Sequence, residues 1–450
     1  MPQSGRKSQV HALWRKFVNP DYVDLLESLD YGRHFTWAQG TKLRDEEGRL
    51  YTDFLAGFGV HNAGHNHPRL ISRLCEELAA CGPSMLNIDA PLPAALLAEQ
   101  LSGMTHSTLC RTVFTSSGTE AVEAAIKIAR AATGRSLLLS CHGGWHGLST
   151  GALALMGNTE HCQGFGPLLA DVVQIPFGDV AALEDACARH RPAAFFVEPI
   201  QGEGGIHVPA TSYLHDAAEI CRKAGCLLVI DEIQTGLGRT GTDFATNFAE
   251  LVPDVLLVGK ALSGGLVPVA ACLTTAETWS RALAGPSRCN LCASTFGGGR
   301  LAMTVGLEML NILRKECLAG RAREMGGLLL DGLRNLADKH PVIRKVLGEG
   351  LLVGIEFEPP SGLLAAVVPR WAREQLFAQV VTAVLLRDHG LLTQTCGLAP
   401  NVLRIEPPLV ITREEIQGLL DALDQVLAEY PSFRSATWSA FRKTALGMDL

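Results

Sequence analysis

The chain has 450 residues, 47% of them hydrophobic and 19% charged, with a formal net charge of −7. That length exceeds one ordinary core and requires a large and a smaller domain. The negative balance argues against nucleic-acid or anionic-membrane partners, and no apolar stretch is long enough to span a bilayer.

The opening, MPQSGRKSQVHALWRKF, carries basic residues with no apolar segment behind them, so it reads as no secretory signal. The segment to about residue 70 mixes a short helical pattern with a hairpin, TKLRDEEGRLYTDF, turning at Glu46–Gly48. From there to about residue 300, helical patterns alternate with the apolar runs RTVFT, SLLLS, AAFFVEP, CLLVID, VLLVG and VAACLTT. Such alternation predicts an α/β fold around a mainly parallel, helix-covered sheet. A long helical pattern from Leu301 then gives way to LLVGIEFEP, VVTAVLLRDHGLLT, NVLRIEPPLVIT and a closing helix, which reads as a smaller α+β domain. The expected divisions are an N-terminal segment 1–70 packing with the C-terminal domain, a large domain 71–325 and a small domain 326–450. Thr412 and Glu415 form a capping box for the closing helix, whose Ile416, Leu419, Leu420, Leu423 and Leu427 share one face. The tail, PSFRSATWSAFRKTALGMDL, is basic with aromatics and is expected to pack locally or at a subunit interface, a frayed end being the alternative.

Thirteen cysteines are scattered without framework spacing, as reduced thiols of a cytoplasmic protein would be. Cys289 and Cys292 form one CxxC, but with no second pair or histidines beside it the spacing reads as chance.

Two apolar runs each stop on a single charge, CLLVID at Asp231 and DVLLVGK at Lys260. Buried charge is costly unless paired or used, and strand C-termini border the ligand crevice of an open α/β sheet. An amine and a carboxylate there suit a carbonyl cofactor, the amine as Schiff-base former and the carboxylate facing a cationic ring nitrogen. A strand-end Asp that only caps a turn and a snorkelling Lys are the structural alternatives. Glu198 in FFVEPIQGEGG is a third charge ending an apolar run. Ser117, Gly118 and Thr119 open the helical pattern AVEAAIKIARAA, which carries a Glu123–Lys127 pair; the turn suits a phosphate, or a plain N-cap. In CHGGWHG, the spacing of His142 and His146 would suit a metal on a helix, but the interleaved glycines exclude a helix. Those glycines allow Trp145 to lie against a flat ligand, or simply to pack. Gln234 could reach a ring hydroxyl or sit on a surface turn.

Together these segments resemble the class III aminotransferases of the ornithine, 4-aminobutyrate and putrescine type. The matching stretches are GFGVHNAGHNHP, FTSSGTEAVEAAIKIAR, HGGWHG, VEPIQGEGG, DEIQTGLGRTG, GKALSGG, STFGGG and LRIEPPL, running from residue 57 to 409. The resemblance implies a fold-type I architecture with a seven-stranded sheet, pyridoxal 5'-phosphate as cofactor, and a homodimer with shared active sites. Lys260 is then similar to the Schiff-base lysine, Asp231 to the partner of the pyridine nitrogen and Gln234 to the residue beside the ring hydroxyl. Ser117, Gly118 and Thr119 align with the phosphate turn and Trp145 with the ring-stacking position, His146 and Glu198 being grouped with this cofactor set. Thr295 matches the threonine that reaches the neighbouring subunit's phosphate. Arg404 resembles the arginine that grips the carboxylate of 2-oxoglutarate or glutamate, and Glu203 its acidic gate, an ordinary ion pair being the alternative. Phe58 lies in a loop that contacts substrate in relatives. The usual GGNP after the threonine reads Gly298-Gly299-Arg300-Leu301 here, which alters the start of the following helix.

The implied activity is ping-pong transfer of an amino group between a terminal amine or ω-amino compound, or its aldehyde, and 2-oxoglutarate or glutamate. The partners are thus an amine donor and a 2-oxo acid or aldehyde acceptor. Aminomutase, decarboxylase or lyase chemistry on the same cofactor, or a silent cofactor-binding regulator, are the alternatives.

Overall fold

The computed structural model describes residues 6–29, 31–85, 88–156, 159–248, 250–359 and 370–432. All but the first two residues of the basic, aromatic tail lie outside the described residues. Helices Arg6–Phe17 and Pro20–Ser28 lead into an antiparallel sheet of β1 (Phe35–Gln39), β2 (Lys42–Asp45) and β3 (Leu50–Asp53). The β2–β3 turn falls at the expected place because the Asp45 carboxylate accepts from the N–H groups of Glu47 (3.1 Å) and Arg49 (2.9 Å). A late two-residue strand, Leu391–Leu392, completes this sheet by pairing parallel to β3.

The large sheet comprises β4 (Arg111–Thr115), β5 (Leu138–Cys141), β6 (Val172–Ile175), β7 (Ala194–Val197), β8 (Leu227–Asp231), β9 (Val255–Val258) and β10 (Ala270–Thr274). Their order is β4-β10-β9-β8-β7-β5-β6, and only β10 runs antiparallel to its neighbours. Strands β5 and β7 to β10 are buried throughout, as a sheet covered on both faces demands. The six apolar runs read from the sequence omit β6. It is a half-buried edge strand that carries Gln174, so it lacks the continuous apolar signature.

Two local expectations are corrected. Glu123 and Lys127 do not pair along their helix, Gly118–Thr133. Glu123 instead accepts from Ser149 Oγ (2.5 Å) and from the N–H groups of Gly151 (2.8 Å) and Ala152 (3.2 Å), while Lys127 donates to the carbonyl of Leu291. Three donors on one carboxylate outweigh a solvent-screened pair. The long pattern from Leu301 is also two helices, Arg300–Lys315 and Leu318–Lys339, broken at Cys317, whose φ is 50°.

Arg300, at the position where the motif usually has asparagine, opens its helix and forms an ion pair with the nearly buried Glu77 of helix Pro68–Ala79. The departure from GGNP thus places leucine, Leu301, at the proline position, while Arg300 beside it ties two helices together.

The last sheet has four strands, β11 (Ile343–Glu349), β12 (Leu352–Phe357), β14 (Gln394–Thr395) and β15 (Val402–Ile405), ordered β11-β12-β15-β14, while the Leu391–Leu392 strand, β13, belongs to the N-terminal sheet. Helices Arg370–His389 and Arg413–Glu429 follow β12 and β15. The second starts on the expected capping box, with Ile416, Leu419, Leu420, Leu423 and Leu427 buried. Among the described residues no helix is long and apolar enough to cross a membrane.

Candidate active site

Strands β8 and β9 are parallel neighbours, with Asp231 registered opposite Leu257, so Asp231 and Lys260 leave the same end of the sheet. Lys260 begins a short 3₁₀ turn, Lys260–Ser263, with φ at 40°. It lines a cavity of about 320 Å³ shared with Ser116, Ser117, Gly118 and Val60. Burial lowers its pKa below the ordinary lysine value, against the opposing charges of Glu406, Glu203 and Asp231. An amine so placed is readied as a nucleophile.

The Asp231 carboxylate is held on both oxygens. Oδ1 accepts from the Ile233 N–H (3.1 Å), and Oδ2 meets His146 Nδ1 at 2.8 Å. Burial opposes the imidazolium form of His146, but the hydrogen bond and charge of Asp231, with Glu198 behind, hold its pKa above the ordinary value. The structure thereby gives His146 a definite place, against Asp231. Glu198 accepts from the N–H groups of Trp145 (2.8 Å) and Gly202 (3.4 Å). Burial pushes Glu198 up to about 7, with His146 and the two N–H groups opposing. The segment His142–Gly147 is a turn, not a helix, with Gly143 at φ 77° and Gly147 at φ 119°. It leaves Trp145 half-buried and its backbone tied to Glu198.

Ser117 is the N-cap of the helix that follows, its Oγ accepting from the Glu120 N–H at 3.4 Å. The N–H groups of Gly118 and Thr119 lie in the first turn, where no intrahelical acceptor exists. At Gly118 a Cβ would meet Ile233 at 2.9 Å. Thr119 Oγ1 and Ser149 Oγ stand 2.6 Å apart. Thr295 is exposed and lines a separate cavity of about 470 Å³ with Ser294 and Gly297–Gly299. Neighbouring Ser294 donates to Glu120 (3.0 Å) and lies 3.3 Å from Ser116 Oγ, so the Thr295 turn rests on the Ser116–Glu120 segment.

The second half of the site is a buried polar group. Arg404, on the fully buried β15, forms an ion pair with Glu203, whose other oxygen accepts from the Gly397 N–H at 2.8 Å. Phe58, 39% exposed, stacks on Arg404 with the guanidinium carbon 4.8 Å from the ring centre. The Phe58 turn is strained: Ala56, Gly57, Phe58 and Gly59 all have positive φ, from 51° to 83°.

Sequence reasoning missed Glu406 and Arg239, though both stand in quoted segments. Glu406 is fully buried just past β15 and accepts from Gln234 Nε2 on both oxygens, at 3.2 and 3.0 Å. It follows Val402-Leu403-Arg404-Ile405, where Arg404 interrupts the apolar run, so it lacks the single-charge ending that singled out Asp231 and Lys260. Burial raises its pKa, while the charges of Arg239, Arg404 and Lys260 oppose the rise. Arg239, also fully buried, donates to the carbonyls of Leu351 (3.0 Å) and Pro407 (2.5 Å) and to Asn62 Oδ1 (2.5 Å). It joins three separate parts of the chain beneath the site. Gln234 is therefore engaged with Glu406 through its amide nitrogen.

The profile of the family "Aminotransferase class-III" matches residues 29–427. The chain belongs to the class III aminotransferase family. Among this protein's relatives, the aminotransferase PigE of a Serratia strain is 35% identical over 93% of the chain, which spans 53% of the length of PigE. The acetylornithine aminotransferase of Mycolicibacterium smegmatis is 41% identical over 86% of this chain and 92% of its own length. The ornithine aminotransferase of Toxoplasma gondii ME49 shares the fold with a TM-score of 0.82 at 32% identity, covering 95% of this chain and 96% of that one. A second crystal structure of the Toxoplasma gondii ornithine aminotransferase matches at the same TM-score, with 31% identity over 96% of this chain and 95% of that one. Its active site holds pyridoxal phosphate at partial occupancy. The fold is that of fold-type I enzymes, and the cofactor indicated is pyridoxal phosphate.

The residues present fit that group. A buried amine of lowered pKa, an oriented carboxylate at the end of the next strand and a helix start where glycine leaves room supply the three contacts such a cofactor needs.

Proposed function

We propose that this class III family member is an aminotransferase that moves an amino group between a terminal amine, or its aldehyde, and 2-oxoglutarate or glutamate, by a ping-pong mechanism. Lys260 would hold pyridoxal phosphate through its amine, Asp231 would face the ring nitrogen, and Trp145 would cover one ring face. Ser117, Gly118 and Thr119 would hold the phosphate, completed by Thr295 of a second copy in a homodimer. The bound cofactor supplies a carbonyl that takes up an amine and a ring that draws electrons from the carbon bearing it.

The rest is the work of this chain's residues. The Lys260 amine would take the proton from the substrate carbon that bears the nitrogen and would return it in the opposite half of the exchange. His146 and the Ile233 N–H fix the Asp231 carboxylate so that it favours a protonated ring nitrogen. Arg404 receives a substrate carboxylate when Glu203 leaves it, and is neutralised by Glu203 when the substrate has none.

The observation that carries the reading is the buried Arg404–Glu203 pair in electrostatic reach of Lys260. One guanidinium with a removable partner lets a single pocket take two unlike substrates in turn. The test is a donor screen with 2-oxoglutarate as acceptor, using diamines, ornithine, 4-aminobutyrate and longer amines, with glutamate as the product measured. Glutamate formation supports the assignment; turnover with pyruvate but never with 2-oxoglutarate would overturn the role given to Arg404.

A further inference from the structure

One oxygen of Glu120 joins the linings of two cavities. Its Oε2 accepts from the Ser116 N–H at 2.9 Å and from Ser294 Oγ at 3.0 Å. Ser116 lines the Lys260 cavity, and Ser294 lines the separate one beside Thr295. This is not an ordinary helix cap. A capping box would turn the Glu120 carboxylate back to the N–H of the N-cap, Ser117. Here it passes that residue for Ser116 and for a loop 174 positions away in sequence.

The turn that carries Ser294 is seated on the large sheet on one side and open on the other. The Gly297 N–H donates to the Ser294 carbonyl at 3.1 Å, and a Cβ at Gly297 would collide with the Phe114 carbonyl of β4. Thr295 is exposed, and Phe296 next to it is 65% exposed. Ile88 and Leu92, 91% and 67% exposed, flank the Asp89 and Pro91 that line the same cavity. Exposed apolar side chains gathered around one cavity mark a face that another molecule covers. Ser294 is thus tied inward to Glu120 while its neighbour Thr295 stands on the open face.

We propose that Glu120 is a positioning residue that couples the two cofactor sites of a homodimer, so that the second pyridoxal phosphate binds more tightly than the first. The inference rests on the proposed reach of Thr295 to the phosphate of a second copy. A phosphate held by the Gly118 and Thr119 N–H groups sets an anion in the same first helical turn as Glu120, and like charges repel. Glu120 is thereby pressed onto its two donors, so an occupied site holds Ser294 and the adjoining Thr295 more firmly. A steadied Thr295 serves the partner's phosphate with less left to order on binding. Linkage makes the effect reciprocal: a phosphate on Thr295 steadies Ser294 and, through Glu120, the Ser116 turn.

The test titrates the cofactor-free, full-length dimer with pyridoxal phosphate and follows the absorbance of the bound cofactor. Wild type is expected to bind the second molecule at least about fivefold tighter than the first, a Hill coefficient of about 1.4 or more. Ser294→Ala leaves Glu120 its Ser116 bond and removes the tie to the Thr295 turn, so the coefficient is expected to fall to about 1. Ser294→Thr, which keeps the hydroxyl, is expected to restore the cooperativity. Non-cooperative binding by wild type overturns the proposal. So does a Ser294→Ala isotherm that keeps its shape, shifted or not, which marks a merely structural contact. Mixed dimers test Thr295 separately: one protomer carries Lys260→Ala, and Thr295→Ala is then added to that same protomer. Binding at the intact Lys260 of the other protomer is expected to weaken. If it does not, Thr295 serves no partner site and that reading fails whatever the Ser294 result. If it weakens while wild type binds without cooperativity, only the coupling through Glu120 fails.

Discussion

Replacing Glu203 with glutamine tests whether its bond to Arg404 is a gate or a brace. The substitution keeps the shape of the side chain and removes its charge. Glu203 accepts from Arg404 on one oxygen and from the Gly397 N–H, at 2.8 Å, on the other. Glutamine has a single oxygen and can serve only one of them. The protein therefore loses about 1–3 kcal/mol of stability for the unsatisfied donor. Arg404, freed of its carboxylate, keeps Glu406 at 3.9 Å and the face of Phe58. An incoming carboxylate no longer has to displace an anion, and a charge-assisted hydrogen bond is worth roughly 1.5–3 kcal/mol. That converts to a KM for 2-oxoglutarate lower by about one to two orders of magnitude. An amine donor lacking a carboxylate meets a guanidinium that has lost its nearest carboxylate, so its kcat/KM falls. Initial rates with each substrate varied against several fixed levels of the other separate the two effects, and urea midpoints report stability. Should both KM values move together, or neither move while stability drops by about 1–3 kcal/mol, Glu203 is a structural partner of Arg404 and the gate does not exist.

Three further outcomes are expected. Glu198 titrates near 7 in the folded protein against an ordinary 4.5, so the folded state binds the extra proton between those values. Its contribution is complete below about pH 4.5 and is lost as pH rises through about 7, by up to about 3 kcal/mol. Urea midpoints of wild type and Glu198→Gln at about pH 5 and about pH 8 should show a shallower decline in the variant; parallel declines refute the assignment. Arg239→Lys cannot reach Leu351, Pro407 and Asn62 with one ammonium and should cost about 3–5 kcal/mol in chemical denaturation. A loss below about 1 kcal/mol would show that the three bonds do not anchor the fold. Arg300→Pro supplies a favoured helix start, yet it removes one ion-pair partner of the buried Glu77 and leaves it with Arg73 at 3.5 Å and Thr304 at 3.4 Å. A thermal midpoint below wild type is expected, and a rise would mean the ion pair contributes nothing.

Much of the large domain was legible because its strands are buried on both faces. Runs such as CLLVID and VLLVG are continuous and lead to Asp231 and Lys260 at the same end of the sheet, so strand and direction could be read together. Strand β6 escaped because an edge strand need be apolar only in part, and Gln174 interrupts it. The Glu123–Lys127 pair failed for a different reason: helical spacing shows which side chains are near neighbours, not what a distant loop brings to compete for them. Ser149, Gly151 and Ala152 did so. The cofactor-side residues were legible as a set only through their combined order, since each has an ordinary structural alternative. Glu406 and Arg239 were overlooked because their partners, Gln234, Leu351 and Asn62, lie far away in sequence. Only the closing of three sheets around one point makes their burial visible.

The parallel pairing of β13 with β3 has a consequence for how the protein is made. Thr52 and Phe54 donate their N–H groups to the carbonyls of Gly390 and Leu392, and Glu406 donates its own to Phe54. The turn that carries Phe58 is thus fastened by residues that leave the ribosome several hundred positions later. Until residues 390–406 are made, the nascent chain can build the large sheet but has nothing to seat the Phe58 turn. The Phe58–Arg404 side of the site is consequently the last part to acquire its shape, and a chain stopped before residue 390 would carry Lys260 and Asp231 without Arg404 and Glu406.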